Sequence, residues 1–274
     1  MFKVDYETCI ACKQCINDCP VNDILLQDGT AYIKNEACIK CGHCIAICPT
    51  ESVATDDYKM EEVIKYNKDD FEISPDRLLN FIKFRRSVRR FKSKDVEKEK
   101  LEQIIEAGRF TQTGTNSQDV SYIVITAEKL RELSDLTYEI LNQKGKYILA
   151  NLTPETEYLK KYAMLWTKMY IAHKENPEKH DRLFCNAPAA ILVMAHNELN
   201  GALASSNMDL MVDTLGLGTF YNGFFQVAAQ DNKEISDFLG LKDGKKIVSC
   251  MVIGYPAVQY KRTVPRKDAE ITWI

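Results

Sequence analysis

Two copies of one short cysteine run constrain this 274-residue chain more than anything else in it. The first reads C-I-A-C-K-Q-C-I-N-D-C-P and the second C-I-K-C-G-H-C-I-A-I-C-P. The copies match cysteine for cysteine at an offset of 29 positions: Cys9, Cys12, Cys15 and Cys19, then Cys38, Cys41, Cys44 and Cys48. Pro20 and Pro49 close each run and turn the chain away from whatever the thiolates hold. Paired C-x₂-C motifs also serve zinc, but zinc needs four ligands, not a duplicated set of eight with a proline after each fourth. A disulfide framework requires an exported protein, and the N-terminus shows no basic segment followed by an apolar one.

The spacing C-x₂-C-x₂-C-x₃-C-P resembles that of bacterial two-cluster ferredoxins. That resemblance implies two [4Fe-4S] clusters, with the fourth cysteine of each run reaching across to the other site. Cys9, Cys12, Cys15 and Cys48 would hold one cluster, and Cys38, Cys41, Cys44 and Cys19 the other. Residues 1–60 are then a ferredoxin domain, residues 61–76 a polar linker with room for one short helix, and residues 77–274 a larger domain.

Charge follows the same division. Residues 1–60 hold five Lys and nine Asp or Glu, a net of −4, which leaves 31 basic and 30 acidic side chains elsewhere. An acidic cluster domain favours a low reduction potential and argues against nucleic acid as a partner. The longest apolar run, 187–195, is too short to span a bilayer, so a soluble cytoplasmic protein in a reducing, oxygen-poor setting is expected, with no membrane partner. Cys185 and Cys250 sit in or beside apolar runs and read as buried thiols.

Beyond the linker, apolar spacing predicts a helix from Arg77 and another over 96–110, capped by Asp95. A strand follows at 120–126, then a largely helical stretch over 128–175, a strand at 189–195, a helix over 201–216 and a last strand at 246–253. Glycines in G-L-G-T-F-Y-N-G-F-F, residues 216–225, read as a turn between helices. The whole is α+β, a small central antiparallel or mixed sheet flanked by helices.

Three segments carry chemistry. R-R-S-V-R, residues 85–89, packs guanidinium groups beside a hydroxyl, a pattern that suits a phosphate but equally a solvated basic face. G-L-G-T-F-Y-N-G-F offers backbone amides to a ring edge, or is simply a helix end and turn. G-Y-P-A-V-Q-Y-K-R places Lys261 and Arg262 just beyond the last strand.

Their order, together with T-N-S-Q and S-S-N-M-D-L-M-V-D-T-L-G-L-G-T, resembles the nitroreductase family of FMN flavoproteins over residues 77–274. With the first 60 residues the chain is similar to the ferredoxin–nitroreductase fusions of anaerobes. The resemblance implies that Arg85, Arg86, Ser87 and Arg89, with Lys261 and Arg262, hold the FMN phosphate and ribityl chain. It implies that Thr113, Gly114 and Asn116 reach the flavin of the other subunit of a homodimer, and that Asn222 and Gly223 face flavin N5. Asp119-Val120 replaces the family's usual Pro-Trp, and Lys144 and Lys146 are the candidates for a lysine at the flavin's pyrimidine edge. Tyr162, Trp166 and Tyr170 recur at helical spacing, as pocket lining or as core.

FMN exchanges single electrons with clusters and pairs with organic molecules, so no catalytic side chain is expected. The implied activity is reduction of a small electrophilic acceptor such as a nitroaromatic or quinone, with a ferredoxin-type protein or NAD(P)H as external donor. An electron-transfer module between protein carriers is the alternative, and flavin destruction, as in a related branch, a third.

Overall fold

The computed structural model describes residues 1–241 and 244–274. It divides into two compact units, Met1–Ser74 with Thr113–Ser117, and Pro75–Gln112 with Gln118–Ile274.

In the first unit β1 (Phe2–Val4) precedes α1 (Gln14–Asp18), the hairpin β2 (Ile24–Gln27) and β3 (Thr30–Ile33), α2 (His43–Ala46) and β4 (Val53–Thr55). β1 pairs antiparallel with β4, from Phe2 opposite Thr55 to Val4 opposite Val53. The 29-residue repeat extends to the backbone. Ala11, Lys13 and Asn22 have φ of 53°, 63° and 52°, and their counterparts Lys40, Gly42 and Glu51 have 55°, 75° and 56°. Only one of these six is glycine, so the left-handed turns are imposed by the fold around the cysteines, not chosen by permissive residues. The core is small: Phe2, Ile24, Ala31, Ile33 and Val53, joined by Cys15 and Cys44. A 3₁₀ turn at Met60–Glu62 and the short α3 (Lys68–Phe71) occupy the expected linker, with Asn67 capping α3 through a bond from Asp70 N.

The second unit opens with α4 (Pro75–Phe84) and α5 (Lys98–Arg109), then β5 (Ser121–Thr126), α6 (Ala127–Ala150), α7 (Lys160–Glu175) and α8 (Pro177–His180). It continues through β6 (Ala189–Ala195), α9 (Glu198–Thr214), β7 (Gly218–Tyr221), α10 (Gly223–Ala229), α11 (Lys233–Leu239) and β8 (Lys246–Gly254). The sheet runs β5-β6-β8-β7 with every neighbouring pair antiparallel.

β6 is apolar throughout because both its faces are covered. Ala189, Ile191 and Val193 join Met251 and Ile253 against Leu101 and Ile104 of α5 and Ala204, Met208 and Val212 of α9. Ala190 and Leu192 join Cys250 and Val252 against Leu133, Tyr138 and Leu141 of α6 and Trp166 and Met169 of α7. The two-residue period of a strand thus sorts one apolar run into two cores.

The structure corrects the sequence reading in two places. Residues 218–221, read as part of a turn, form an edge strand on β8. A Cβ on Gly218 would stand 2.6 Å from Val88 Cγ2, so glycine here admits a close neighbour and does not signal a break in the sheet. Glu97, not Asp95, is the N-cap of α5, and its carboxylate accepts from Tyr255 Oη at 2.6 Å instead of capping the helix.

Candidate functional site

In the first unit the eight cysteines line two separate hollows. Cys9, Cys12, Cys15 and Cys48 border one, and Cys19, Cys38, Cys41 and Cys44 border the other. All ten cysteines of the chain are free of disulfides. Each hollow is otherwise walled by aliphatic groups such as Val4 and Ile16, or Ile24 and Ile33. That setting opposes bare thiolates: burial raises the Cys15 pKa and pushes Cys44 up to about 12. At Cys48 burial also pushes upward, yet bonds from Thr50 and Ser52 outweigh it and the thiol falls below its ordinary value. Backbone amides aim at sulfur, with Asp23 N to Cys19 Sγ at 3.4 Å, Lys40 N to Cys38 Sγ at 3.4 Å and Ser52 N to Cys48 Sγ at 3.3 Å. Four soft ligands around a hollow walled largely by aliphatic groups, with N–H groups toward the sulfurs, fit an iron–sulfur cluster.

Asn116 belongs with this unit, where its Nδ2 donates to Ile39 O at 3.0 Å and Lys40 O at 2.9 Å. Thr113 and Gly114 lie in the same short segment. Asp119, two residues beyond it in the other unit, accepts from His196 N and Asn197 N, both at 3.0 Å, and from Asn200 Nδ2 at 2.7 Å. An acidic residue therefore stands there because it ties the loop to the start of α9.

In the second unit an open cavity of about 780 Å³ is lined by Arg89, Asn222 and Gly223 together with Phe220, Phe224 and Met169. Asn222 ends β7 and caps α10: its Oδ1 accepts from Phe225 N at 3.0 Å and its Nδ2 donates to Leu183 O at 2.9 Å. The side chain is thus occupied by the fold, as are the Asn222 N–H, which donates to Cys250 O at 2.9 Å, and the Asn222 carbonyl, which accepts from Gln226 N at 3.2 Å; Gly223, the next residue, lines the cavity. A Cβ added to Gly223 would meet nothing within 4 Å, so the space beside it is open to a flat ligand. Arg89 lies over the Phe220 ring at 5.2 Å.

Arg85 points elsewhere. Its Nη1 pairs with Asp209 Oδ2 of α9 at 2.9 Å, and the Asp209 carboxyl is almost wholly buried. Burial raises the Asp209 pKa although Arg85 opposes the shift, and Asp213, one turn on, is pushed up to about 6 by burial and then by the Asp209 charge. Ser87 bridges to Thr219 and Val88 N donates to Thr219 O at 2.9 Å, so the R-R-S-V-R segment runs along β7.

Lys261 and Arg262 lie on an exposed C-terminal stretch and do not line the cavity; Lys261 Nζ donates to Gln259 Oε1 at 2.5 Å. Lys144 Nζ donates to Val227 O at 2.6 Å and so serves the C-terminal turn of α10. Trp166 is core, edge-on to Phe224 at 6.0 Å, and Met169 is the α7 residue that reaches the cavity. Sequence reasoning missed Arg182, Cys185 and Asn186, which also line it. Cys185 is only half-buried, unlike Cys250. The sole signal was their place just before an apolar strand.

The second unit is thus a helix-flanked antiparallel sheet with a cavity at β7 and α10, and the first a module whose cysteines suit iron–sulfur clusters. Residues 82–255 match the nitroreductase family and residues 1–49 match a 4Fe-4S dicluster domain. The chain belongs to the nitroreductase family and carries an N-terminal 4Fe-4S dicluster domain. Among relatives, Staphylococcus aureus proteins named NADPH-dependent oxidoreductase are 24% identical over 186 residues. That match spans 66% of this chain and 66% of theirs, just under two thirds of their length. A nitroreductase with bound FMN from Bacteroides fragilis superposes with a TM-score of 0.53 at 20% identity, over 71% of this chain and 98% of that one. Another with bound FMN, from Desulfitobacterium hafniense, gives 0.51 at 23% over 72% and 97%. A BluB-like flavoprotein from Clostridium difficile gives 0.53 at 20% over 69% and 94%. These likenesses concern the fold. No described helix is long and apolar enough to cross a membrane.

Proposed function

We propose that the chain takes up low-potential electrons at two [4Fe-4S] clusters and uses them to reduce a small electrophilic organic acceptor in the cavity of the second unit. Cys9, Cys12, Cys15 and Cys48 hold one cluster, and Cys38, Cys41, Cys44 and Cys19 the other. FMN, when bound, supplies the exchange between one-electron and two-electron chemistry. Arg89 and the turn at Asn222 and Gly223 hold it in the cavity, with Arg86, Ser87, Lys261 and Arg262 available to its phosphate. Arg85 contributes through its position in the same segment, with its charge shared with Asp209.

The observation that carries this reading is the volume of the cavity. At about 780 Å³, walled by Phe220, Phe224 and Met169, it leaves room for an organic molecule as well as a flavin. A module that only relays electrons between proteins needs no such chamber. The enzyme works as a homodimer. Leu78, Leu79 and Ile82 of α4 are exposed together, and Trp273 near the end of the C-terminal stretch is 90% exposed, apolar surface that suits a second copy. The external donor is a ferredoxin-type protein or NAD(P)H, and the name of the curated relatives makes NADPH the first nicotinamide to try.

The deciding experiment is an anaerobic steady-state assay of the iron- and FMN-loaded protein. Nitroaromatics, quinones and activated alkenes are offered as acceptors, with reduced ferredoxin, NADH and NADPH as donors. Turnover of at least one acceptor class is expected. Reduction of the protein by a donor with no turnover of any organic acceptor would instead favour the relay.

A further inference from the structure

Arg182 lies between α8 and β6, outside every segment read for the flavin, yet it lines the same cavity as Asn222 and Gly223. The turn that carries it is fixed in place. Arg182 N donates to the buried Tyr138 Oη at 2.7 Å, and that hydroxyl donates in turn to His180 O at 3.2 Å. Asp181 Oδ1 accepts from Leu183 N at 3.1 Å and Phe184 N at 2.9 Å, and its Oδ2 from Asn186 N at 2.9 Å. Asn186 Nδ2 donates to Glu178 O at 2.8 Å. Cys185 and Asn186 then stand consecutively at φ of 55° and 51°, a backbone that two non-glycine residues hold only where the surroundings enforce it.

The charge balance of the cavity is one-sided. Three arginines line it, Arg89, Arg90 and Arg182, against a single acidic residue, Asp181. That carboxylate is already engaged by three backbone amides. Arg89 rests on the Phe220 ring. Among the described residues no hydrogen bond or ion pair engages the Arg182 guanidinium. Its charge is felt within the cavity: burial pushes the Cys185 thiol up to about 11, Asp181 adds to the rise, and Arg89 and Arg182 pull against it. An exposed arginine on a preorganised turn, at the border of a cavity with flat apolar walls, offers a fork for a planar anion.

We propose that Arg182 binds the carboxylate of the acceptor, so that the natural substrates are small planar acids, aromatic or conjugated, and not neutral molecules. This rests on the reading of the cavity as an acceptor site. It adds to that reading the feature that selects among acceptors: the ring lies against Phe224 and Met169 while its acid group reaches the α8–β6 turn.

The test uses the full-length holoprotein and needs no turnover. Benzoate and its neutral isostere benzamide are titrated against wild type, Arg182→Gln and Arg182→Lys, with binding read from the flavin absorbance and from calorimetry. Wild type should prefer benzoate. Arg182→Gln should lower that preference about 10- to 100-fold, as befits the loss of a charge-assisted pair. Arg182→Lys should restore part of it, since charge returns without the fork. The bond to Tyr138 comes from the backbone of Arg182 and survives both substitutions. Equal binding of benzoate and benzamide by wild type, or an unchanged preference in Arg182→Gln, would overturn the proposal. So would loss of FMN from Arg182→Gln, which would make this residue a flavin ligand. A change confined to NADPH over NADH would likewise overturn it, by assigning the fork to a donor phosphate. A parallel comparison of 4-nitrobenzoate with nitrobenzene separates the two levels. If the acid preference depends on Arg182 and neither compound is reduced, the anion site stands and the nitro-reductive reading falls.

Discussion

Replacing Arg85 with alanine would strand the Asp209 carboxylate inside the second unit. Asp209 Oδ1 already has no partner, and Oδ2 relies on Arg85 Nη1 at 2.9 Å. Removing one member of a buried pair costs about 3–5 kcal/mol, and with the Arg85 side chain 28% exposed the lower end applies, about 3 kcal/mol. At a urea slope of roughly 2–3 kcal/mol per molar, the unfolding midpoint should drop by about 1 M. Trp166 and Trp273 are the chain's two tryptophans and both belong to the second unit, so tryptophan fluorescence follows that unit alone.

The penalty also has a pH signature. A carboxyl whose folded pKa is raised favours the folded state at low pH, and that benefit is lost as pH rises from the unfolded to the folded value. In the wild type Asp213, raised from 3.8 to about 6, should weaken the unit as pH climbs through that interval. Without Arg85 the Asp209 pKa rises further, so the deficit of the variant should be larger at pH 8 than at pH 5. Asp209→Asn in the same background removes the stranded charge and should recover most of the loss. Equal midpoints for Arg85→Ala and Arg85→Ala/Asp209→Asn at pH 8 would refute the reasoning. An unchanged midpoint with loss of FMN would make Arg85 a phosphate ligand instead.

Other outcomes follow from the same geometry. Cys19→Ala and Cys48→Ala should damage different iron centres, and low-temperature electron paramagnetic resonance of the reduced proteins should show different signals lost; identical spectra would reject the crossed ligand sets. Gly218→Ala forces a methyl within 2.6 Å of Val88 and should destabilise the second unit by about 1–3 kcal/mol, read by the same urea titration, whereas Gly223→Ala should leave stability nearly unchanged and weaken FMN retention on desalting. Asp119→Ala removes the acceptor for His196 N, Asn197 N and Asn200 Nδ2 and should lower the stability of the second unit by about 2 kcal/mol, which Asp119→Asn recovers in part.

The elements with strong periodicity were legible before any coordinates. β6 at 189–195 coincides with its expected span, and β8 differs only by Gly254 at its end. The resemblance to two-cluster ferredoxins groups Cys48 with the first run and Cys19 with the second, and the two hollows are lined by those groups. β7 was not legible, because a four-residue edge strand whose glycine serves packing looks like a turn when only its residues are seen. The partner of Arg85 was equally hidden: Asp209 lies 124 positions away, and nothing local in S-S-N-M-D-L marks its carboxylate as inward-facing. Arg182 escaped because a single arginine before a strand carries no pattern; its place in the cavity depends on Tyr138, from a helix 44 residues earlier.

The duplicated left-handed turns of the first unit have a consequence for how the protein matures in the cell. Ala11, Lys13, Lys40 and Glu51 each hold a backbone that disfavours a side chain by roughly 1–2 kcal/mol, and only a handful of apolar side chains is available to offset them. A cluster bound in each hollow would supply the stabilisation that so small a core does not, as in small domains that fold around their ions. A newly made chain would therefore carry a finished second unit and an unfinished first one. Iron supply, not translation, would then decide when the molecule becomes electrically competent, and starvation for iron would leave a population of intact but disconnected enzymes.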